Sequence, residues 1–158
     1  MDDRMFRQAM GKFATGVTVV TTEVEDKVHG MTANAFMSVS LNPKLIVISV
    51  ANRARMKEYI EESGSFAVSL LADNQEDLSS YFAGQSKEEK EVGFEIFDNM
   101  PVLHGSLANI TCDVHNAHIE GDHTLYIGKV RDIALNDGKP LAYFSGKYYE
   151  LTSLEATK

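Results

Sequence analysis

The sequence predicts a mainly β protein, an antiparallel barrel or sandwich with peripheral helices. Three observations carry this. Six or seven strand-like runs are interrupted by only two or three helical ones, without the regular strand–helix alternation that a parallel sheet requires. The chain has 158 residues, 44% of them hydrophobic, which is enough to bury a core without disulfides or metal. Three prolines and no Pro-rich linker, repeat or low-complexity segment leave no boundary, so residues 1–158 read as one domain.

The first element is helical. Asp2 or Asp3 caps it, and Phe6, Ala9, Met10 and Phe13 recur at the spacing of one buried face. Gly11 and Thr15-Gly16 break the pattern. Residues 17–24 (VTVVTTEV) are β-branched and read as a strand, joined across the charged turn Glu25-Asp26-Lys27 to another at 28–33. Residues 45–50 form a short apolar run bounded by Asn42-Pro43 and Asn52, which reads as a buried strand. Residues 55–63 place Met56, Tyr59 and Ile60 at helical spacing, and Gly64 stops that helix. Residues 66–71 alternate as a strand, and 74–82 read as a capped helix with Leu78, Tyr81 and Phe82 inward. The run Lys87-Glu88-Glu89-Lys90-Glu91 reads as a solvated charged loop or helix end. Residues 107–118, 124–135 and 141–144 complete the strands, with Asn136-Asp137-Gly138 as a turn.

Charge and cysteine content narrow the function. Fifteen Lys and Arg against 23 Asp and Glu leave a net charge of −8, which argues against non-specific nucleic-acid binding and against docking on an anionic membrane. The single cysteine, Cys112, allows no intrachain disulfide, Cys-rich zinc site or dithiol pair, and in mid-strand it reads as packed core. No apolar run approaches the ~20 residues that span a bilayer. Met1-Asp2-Asp3-Arg4 leads into no signal-peptide core, and the expectation is a soluble cytoplasmic protein. No dinucleotide-binding glycine fingerprint, P-loop or nucleophile elbow is present. His115 and His118, three apart on a predicted strand, point to opposite faces, so no metal site is expected. Phe13, Phe36 and Phe66 read as core.

Three segments carry chemistry. In residues 30–43 small residues, Asn and hydroxyls interleave with apolar ones, which lets backbone amides approach a flat polar ligand edge. A heteroaromatic ring with alternating carbonyls and ring nitrogens needs such a row, although a plain strand-to-loop transition uses the same residue types. Asn52-Arg53-Ala54-Arg55-Met56-Lys57 sets three cations where a helix begins, against its macrodipole. A bound phosphate explains them, and so does an exposed face paired with Glu58, Glu61 and Glu62. In residues 121–128 (GDHTLYIG) a tight Gly-Asp turn puts His123 at the mouth of a strand, where it reaches a ligand, a backbone group or water.

Together these segments resemble the short-chain flavin reductases, the reductase components of two-component aromatic monooxygenases such as phenol and 4-hydroxyphenylacetate hydroxylases. The resemblance rests on FRQAMGKFATGVTVVTT (6–22), HGMTANAFMSVSLNP (29–43), Phe82-Ala83-Gly84, GDHTLYIGKV (121–130) and residues 143–151, in family order over nearly the whole chain. It implies a flavin-binding split barrel, antiparallel and Greek-key-like, which pairs as a homodimer with flavin sites near the interface. It implies that FAD or FMN is held by the segment Thr32, Ala33, Asn34, Ala35, Ser38, Val39 and Ser40. Ser49, Val50 and Ala51 would line the flavin, Arg55 and Lys57 would lie near its phosphate, and Phe82, Ala83 and Gly84 would form a loop over it. His123 is the implied nicotinamide-side histidine, positioning the donor, and Tyr148 lies near that pocket. The implied activity is that of an NAD(P)H:flavin oxidoreductase. NADH or NADPH passes hydride from C4 to flavin N5, and a separate flavin-dependent oxygenase receives the reduced flavin. A non-catalytic flavin-binding or storage module on the same fold is the alternative. No metal, nucleic acid or membrane partner is implied.

Overall fold

The computed structural model describes residues 1–85 and 91–155. Of the charged run read as a loop or helix end, Lys87-Glu88-Glu89-Lys90 lies outside the described residues. Helix α1 (Asp3–Gly11) is capped by Asp2, whose carboxylate accepts from the Arg4 amide. It is followed by β1 (Thr15–Gly16), β2 (Thr18–Val24), β3 (Lys27–Ala33), β4 (Phe36–Leu41) and β5 (Lys44–Ala51). Helix α2 (Arg55–Ser63), β6 (Ser65–Leu70), a 3-10 turn at Asp73–Gln75 and α3 (Glu76–Phe82) come next. Strands β7 (Phe94–Phe97), β8 (Met100–Leu103), β9 (Ala108–Glu120), β10 (His123–Leu135), β11 (Leu141–Phe144) and β12 (Lys147–Glu150) complete the described elements.

The mainly β, antiparallel expectation holds. Seven strands pair in the order β3-β2-β6-β9-β10-β5-β4, three in the order β1-β11-β12, and β7 pairs with β8. A closed, hydrogen-bonded barrel does not form. The seven-stranded sheet has two edges, β3 and β4, and no ladder joins them among the described residues. These edges are nonetheless consecutive in sequence. Only Asn34-Ala35 separates them, and the three Cα steps from Ala33 to Phe36 reach at most about 11 Å. The sheet therefore curls until its edges meet at one end, leaving an unpaired seam there.

Turns set the registers. Glu25-Asp26 (φ 52 and 62), Asp98-Asn99 (49 and 60) and Ser145-Gly146 (49 and 80) have both central residues left-handed, as a two-residue type I′ hairpin requires. Between β9 and β10 only Gly121 is left-handed (φ 60), the pattern of a type II′ turn, and His123 emerges opposite Glu120. A bulge at Val39 twists the edge strand β4, which blunts it against pairing with another chain. Another at Arg131 re-aims that side chain onto Asp98 (3.0 Å) and Asp113 (3.5 Å). A third at His115 interrupts the alternation used to set His115 and His118 on opposite faces. Among the described residues, no three His, Cys, Asp or Glu side chains are grouped to hold a metal ion.

Strand β2 is buried on both faces, which explains its unbroken apolar and Thr run. On one side Val20 joins Ile48, Val50, Phe66 and Tyr126 under Met56 and Ile60 of α2. On the other Val19 joins Leu71, Leu103 and Leu141 with Leu78 and Phe82 of α3. Each fully buried side chain of this kind is worth about 1.5–3 kcal/mol. Cys112 is buried between Phe66 and Val130. Burial pushes its thiol up to about 12, with Asp113 adding to the effect and Arg131 opposing it.

Two expectations are corrected. Helix α1 buries none of its residues, and Phe6 and Met10 are 55% and 57% exposed, because no described element of the chain packs on that face. Strands β1, β4, β7, β8 and β12 were not expected from the sequence. They are two to six residues long, and their partners impose the extended backbone.

Candidate active site

The site assembles at the seam. Among the described residues β3 pairs only with β2 and β4 only with β5, so their outward backbone N–H and C=O groups have no strand partner there. The crossing is held on both sides: Thr18 Oγ1 donates to the Ala33 carbonyl (2.6 Å), and the Ser49 amide donates to the Ala35 carbonyl (3.3 Å). Asn34 projects exposed between them.

Three clefts meet at Asn34. The largest, about 790 Å³, is mostly apolar and lined by Thr15, Ala35, Phe36, Ser49 and Leu125 among others. The second, about 600 Å³, brings in Arg7, Phe13, His123 and Tyr143. The third, about 160 Å³, is walled by Thr32, Ala33, Ser79, Ala83 and Tyr148. Thr15 borders the first two, and its Oγ1 is buried with no hydrogen-bond partner among the described residues. Such an orphan costs about 1–3 kcal/mol, which a ligand hydrogen bond offsets.

Register places His123. It stands opposite Ala51 of β5, and Asn52 clamps the corner. The Asn52 amide donates to the Asp122 carbonyl (2.9 Å), its Nδ2 donates to the Gly121 carbonyl (3.3 Å), and its Oδ1 accepts from Thr124 Oγ1 (2.6 Å). His123 Nδ1 lies 2.7 Å from Asp122 Oδ1. That hydrogen bond holds the Asp122 carboxyl below its ordinary range, so the carboxylate accepts, Nδ1 donates, and Nε2 is left for the cleft. In the small cleft Tyr148 Oη and Ser79 Oγ are 2.6 Å apart, while Thr32 Oγ1 donates to the Ser79 carbonyl (2.6 Å). These bonds tie α3 and β12 to the end of β3.

Of the residues singled out from the sequence, Thr32, Ala33, Asn34, Ala35, Ser49, Ala83, His123 and Tyr148 line these clefts. Ser38, Val39 and Ser40 lie farther along β4, beyond the cleft walls. The Val50 side chain is fully buried in the core, and half-buried Ala51 is the strand partner of His123. Phe82 packs its ring beneath Gly30 as part of the second core cluster, while Gly84 is exposed. Arg55 is exposed at the start of α2. Lys57 is paired with Glu61, which also accepts from Tyr126 Oη (2.9 Å), so the ion-paired helix face is realised for that cation. The Tyr126 hydroxyl is pushed upward by burial and by this acceptor, and the Glu61 carboxyl is held down by Lys57 and Tyr126.

The aromatic residues read as core divide. Phe66 is buried, Phe36 is half-buried between core and cleft, and Phe13 is 77% exposed and lines two clefts. Sequence reasoning missed Arg7, Thr15, Ser79 and Tyr143 as cleft residues. Thr15 stood inside a resembling stretch but registered only as a pattern break.

An open antiparallel sheet, curled until its edges frame a mostly apolar cleft bordered by Asn34, has room for a flat ligand with polar edges. The chain belongs to the flavin reductase family: the model described as "Flavin reductase like domain" matches residues 10–152. It is 46% identical over 151 residues to an NADH-dependent flavin reductase from a Rhodococcus species, covering 94% of this chain and 86% of the relative. To the reductase component of 4-hydroxyphenylacetate 3-monooxygenase from Thermus thermophilus it is 40% identical over 147 residues, covering 92% and 95%. A solved flavin reductase in its native state superimposes with a TM-score of 0.95 at 54% identity, covering 97% of this chain and 100% of the other. Among the described residues, no helix is long and apolar enough to cross a membrane.

Proposed function

We propose that this protein is an NADH-dependent flavin reductase that supplies reduced FAD or FMN to a separate flavin-dependent aromatic monooxygenase. The observation that carries the reading is the convergence at Asn34 of three clefts, one bearing His123 and another Tyr148, in a chain of the flavin reductase family. The donor set suits a flavin. Unpaired backbone groups along the seam and the orphaned Thr15 hydroxyl match a polar ring edge, and the apolar walls of the large cleft match its face.

In this reading residues 1–158 are one domain with the split-barrel, Greek-key arrangement. Thr32, Ala33, Asn34, Ala35 and Ser49 hold the flavin ring, with Val50 and Ala51 behind it. Ser38, Val39 and Ser40 continue its binding strand, Ala83 and Gly84 cover it beyond Phe82, and Arg55 and the Glu61-paired Lys57 flank its phosphate. A bound flavin supplies the two-electron acceptor for hydride from a dihydronicotinamide. The chain's contribution is placement. Asp122 fixes the His123 ring so that Nε2 orients the donor, and Ser79 fixes the Tyr148 hydroxyl at the cleft wall. Holding the reacting atoms at ~3–3.5 Å supplies much of the acceleration. The exposed Phe13 and Met37 at the large cleft, and Leu41 at the far end of β4, suit burial against a second copy, and the reading includes a homodimer. It also includes a cytoplasmic location, where donor and flavin are both available.

The test is NADH oxidation followed by absorbance, with added FAD or FMN and bound flavin quantified beforehand. Oxidation that scales with free flavin establishes the reductase, and NADPH in place of NADH ranks the donors. Flavin binding without NADH oxidation refutes the enzyme and leaves the storage module.

A further inference from the structure

We propose that Arg7 of α1 is the residue that binds the pyrophosphate of the nicotinamide dinucleotide. The inference rests on the reductase reading above and deepens it. Arg7 lines the same cleft as His123 and Asn34, and among the residues lining that cleft it alone carries a permanent charge. Among the described residues no carboxylate lines the cleft, the Asp122 carboxylate being engaged on the His123 ring, although the chain as a whole carries −8. A dianionic dinucleotide approaching an acidic protein needs a local positive field at the mouth it enters. Arg7 also borders an adjoining cleft of about 680 Å³ whose walls include Arg4 and Lys12 as well as Asp2 and Asp3. Three cations against two carboxylates leave that lining positive in balance.

The guanidinium is uncommitted: among the described residues, no ion pair or hydrogen bond engages Arg7. Packing does not explain it either, because no residue of α1 is buried. What holds the helix in place is its last turn. The Ser145 amide donates to the Gly11 carbonyl (2.9 Å), and Lys12 Nζ sits 5.8 Å from the centre of the Phe144 ring. The free charge is therefore carried on a short helix docked against the turn that precedes the Tyr148 strand. Its planar fork matches phosphate oxygens two at a time, which a lysine point charge does not. The division of labour follows. His123 addresses the nicotinamide end, and Arg7 anchors the phosphates that the nicotinamide carries behind it.

The experiment compares two hydride donors on the full-length protein. NADH carries the pyrophosphate; N-benzyl-1,4-dihydronicotinamide carries none. For Arg7→Ala, the ratio of kcat/KM with NADH to kcat/KM with the benzyl donor falls about tenfold or more below wild type, mainly through KM for NADH. Arg7→Lys falls between the two. The NADH term of Arg7→Ala also loses part of its dependence on salt. Equal losses with both donors, or a loss of flavin affinity by fluorescence titration with the donor ratio at its wild-type value, overturns the proposal. The second of those results would assign Arg7 to the flavin phosphate. Wild-type protein that oxidises neither donor removes the reductase reading itself, and this proposal with it; turnover without donor discrimination removes only the Arg7 assignment.

Discussion

Substituting Gly30 by alanine tests whether the core beneath the seam sets the shape of the site. A Cβ on Gly30 would lie 2.6 Å from Cε1 and 2.7 Å from Cδ1 of Phe82. Carbon–carbon contacts are optimal at about 3.5–4.0 Å, so the ring has to retreat by about 1 Å. It is hemmed in: Tyr81 stands edge-on at 5.0 Å between ring centroids, Phe94 lies at 6.1 Å, and the second core cluster lies behind. The retreat therefore moves the end of α3, which carries Ala83 into the small cleft and presents Ser79 to Thr32 and Tyr148. Overpacking costs about 1–3 kcal/mol, and replacing glycine in a strand returns about 0.5–1 kcal/mol. The net loss is about 0–2.5 kcal/mol, about 1 kcal/mol at mid-range. Urea unfolding of Gly30→Ala should report that loss, and flavin titration should show weaker binding because the displaced end of α3 carries Ala83 and Ser79. Phe82→Leu opens the space, so the double variant should be more stable than the two single losses predict, with a coupling above about 0.5 kcal/mol. A Gly30→Ala protein with wild-type midpoint and flavin affinity, or strictly additive variants, would refute the argument.

Other outcomes follow from the same geometry. His123→Ala should raise KM for NADH several-fold more than it weakens flavin binding; flavin affinity that collapses while NADH dependence stays put would remove the nicotinamide role. Cys112, pushed up to about 12 by burial, is about 0.01% thiolate at pH 8. Native protein should thus resist iodoacetamide until denaturant exposes the thiol, and rapid labelling of the folded state would contradict the packing around Phe66. His29 stacks on Tyr59 with ring centroids 3.6 Å apart, and burial, reinforced by Lys27, holds its imidazole below the usual histidine value of 6.5. The unfolded chain then takes up a proton before the folded one, so this contribution is complete above pH 6.5 and declines as pH falls below it. Urea midpoints should drop more between pH 7 and 5.5 for wild type than for His29→Gln, and parallel curves would exclude the effect.

Where local chemistry is decisive, the sequence was sufficient. Helix α2 ran from Arg55 to Ser63 as expected, because Met56, Tyr59 and Ile60 repeat at helical spacing and Gly64, left-handed at φ 73, closes it. The Gly121-Asp122 turn and the emergence of His123 at a strand mouth were legible for the same reason: glycine at the first turn position suits that backbone. The row of small and polar residues around Asn34 was singled out from the sequence, and the structure sets Asn34 where three clefts meet. Elements that depend on distant partners were not legible. Strand β4 owes its conformation to β5, β1 to β11, and β12 to β11, and no periodicity within six residues or fewer encodes those pairings. Nothing local said that Phe82 would pack its ring beneath Gly30, whereas the Lys57–Glu61 pair, four residues apart on one helix face, was among the readings the sequence offered. The amphipathic pattern of α1 correctly foretold a helix but not a buried face, since amphipathicity states that a face exists and not what covers it. The sequence by itself determined the antiparallel β class and the turns at Glu25-Asp26 and Gly121-Asp122, because these depend on neighbours in the chain. Only the tertiary structure decided that the sheet stays open between β3 and β4 and that Arg7, Thr15, Asn34 and His123 share one cleft, because those juxtapositions arise from strand pairings far apart in sequence.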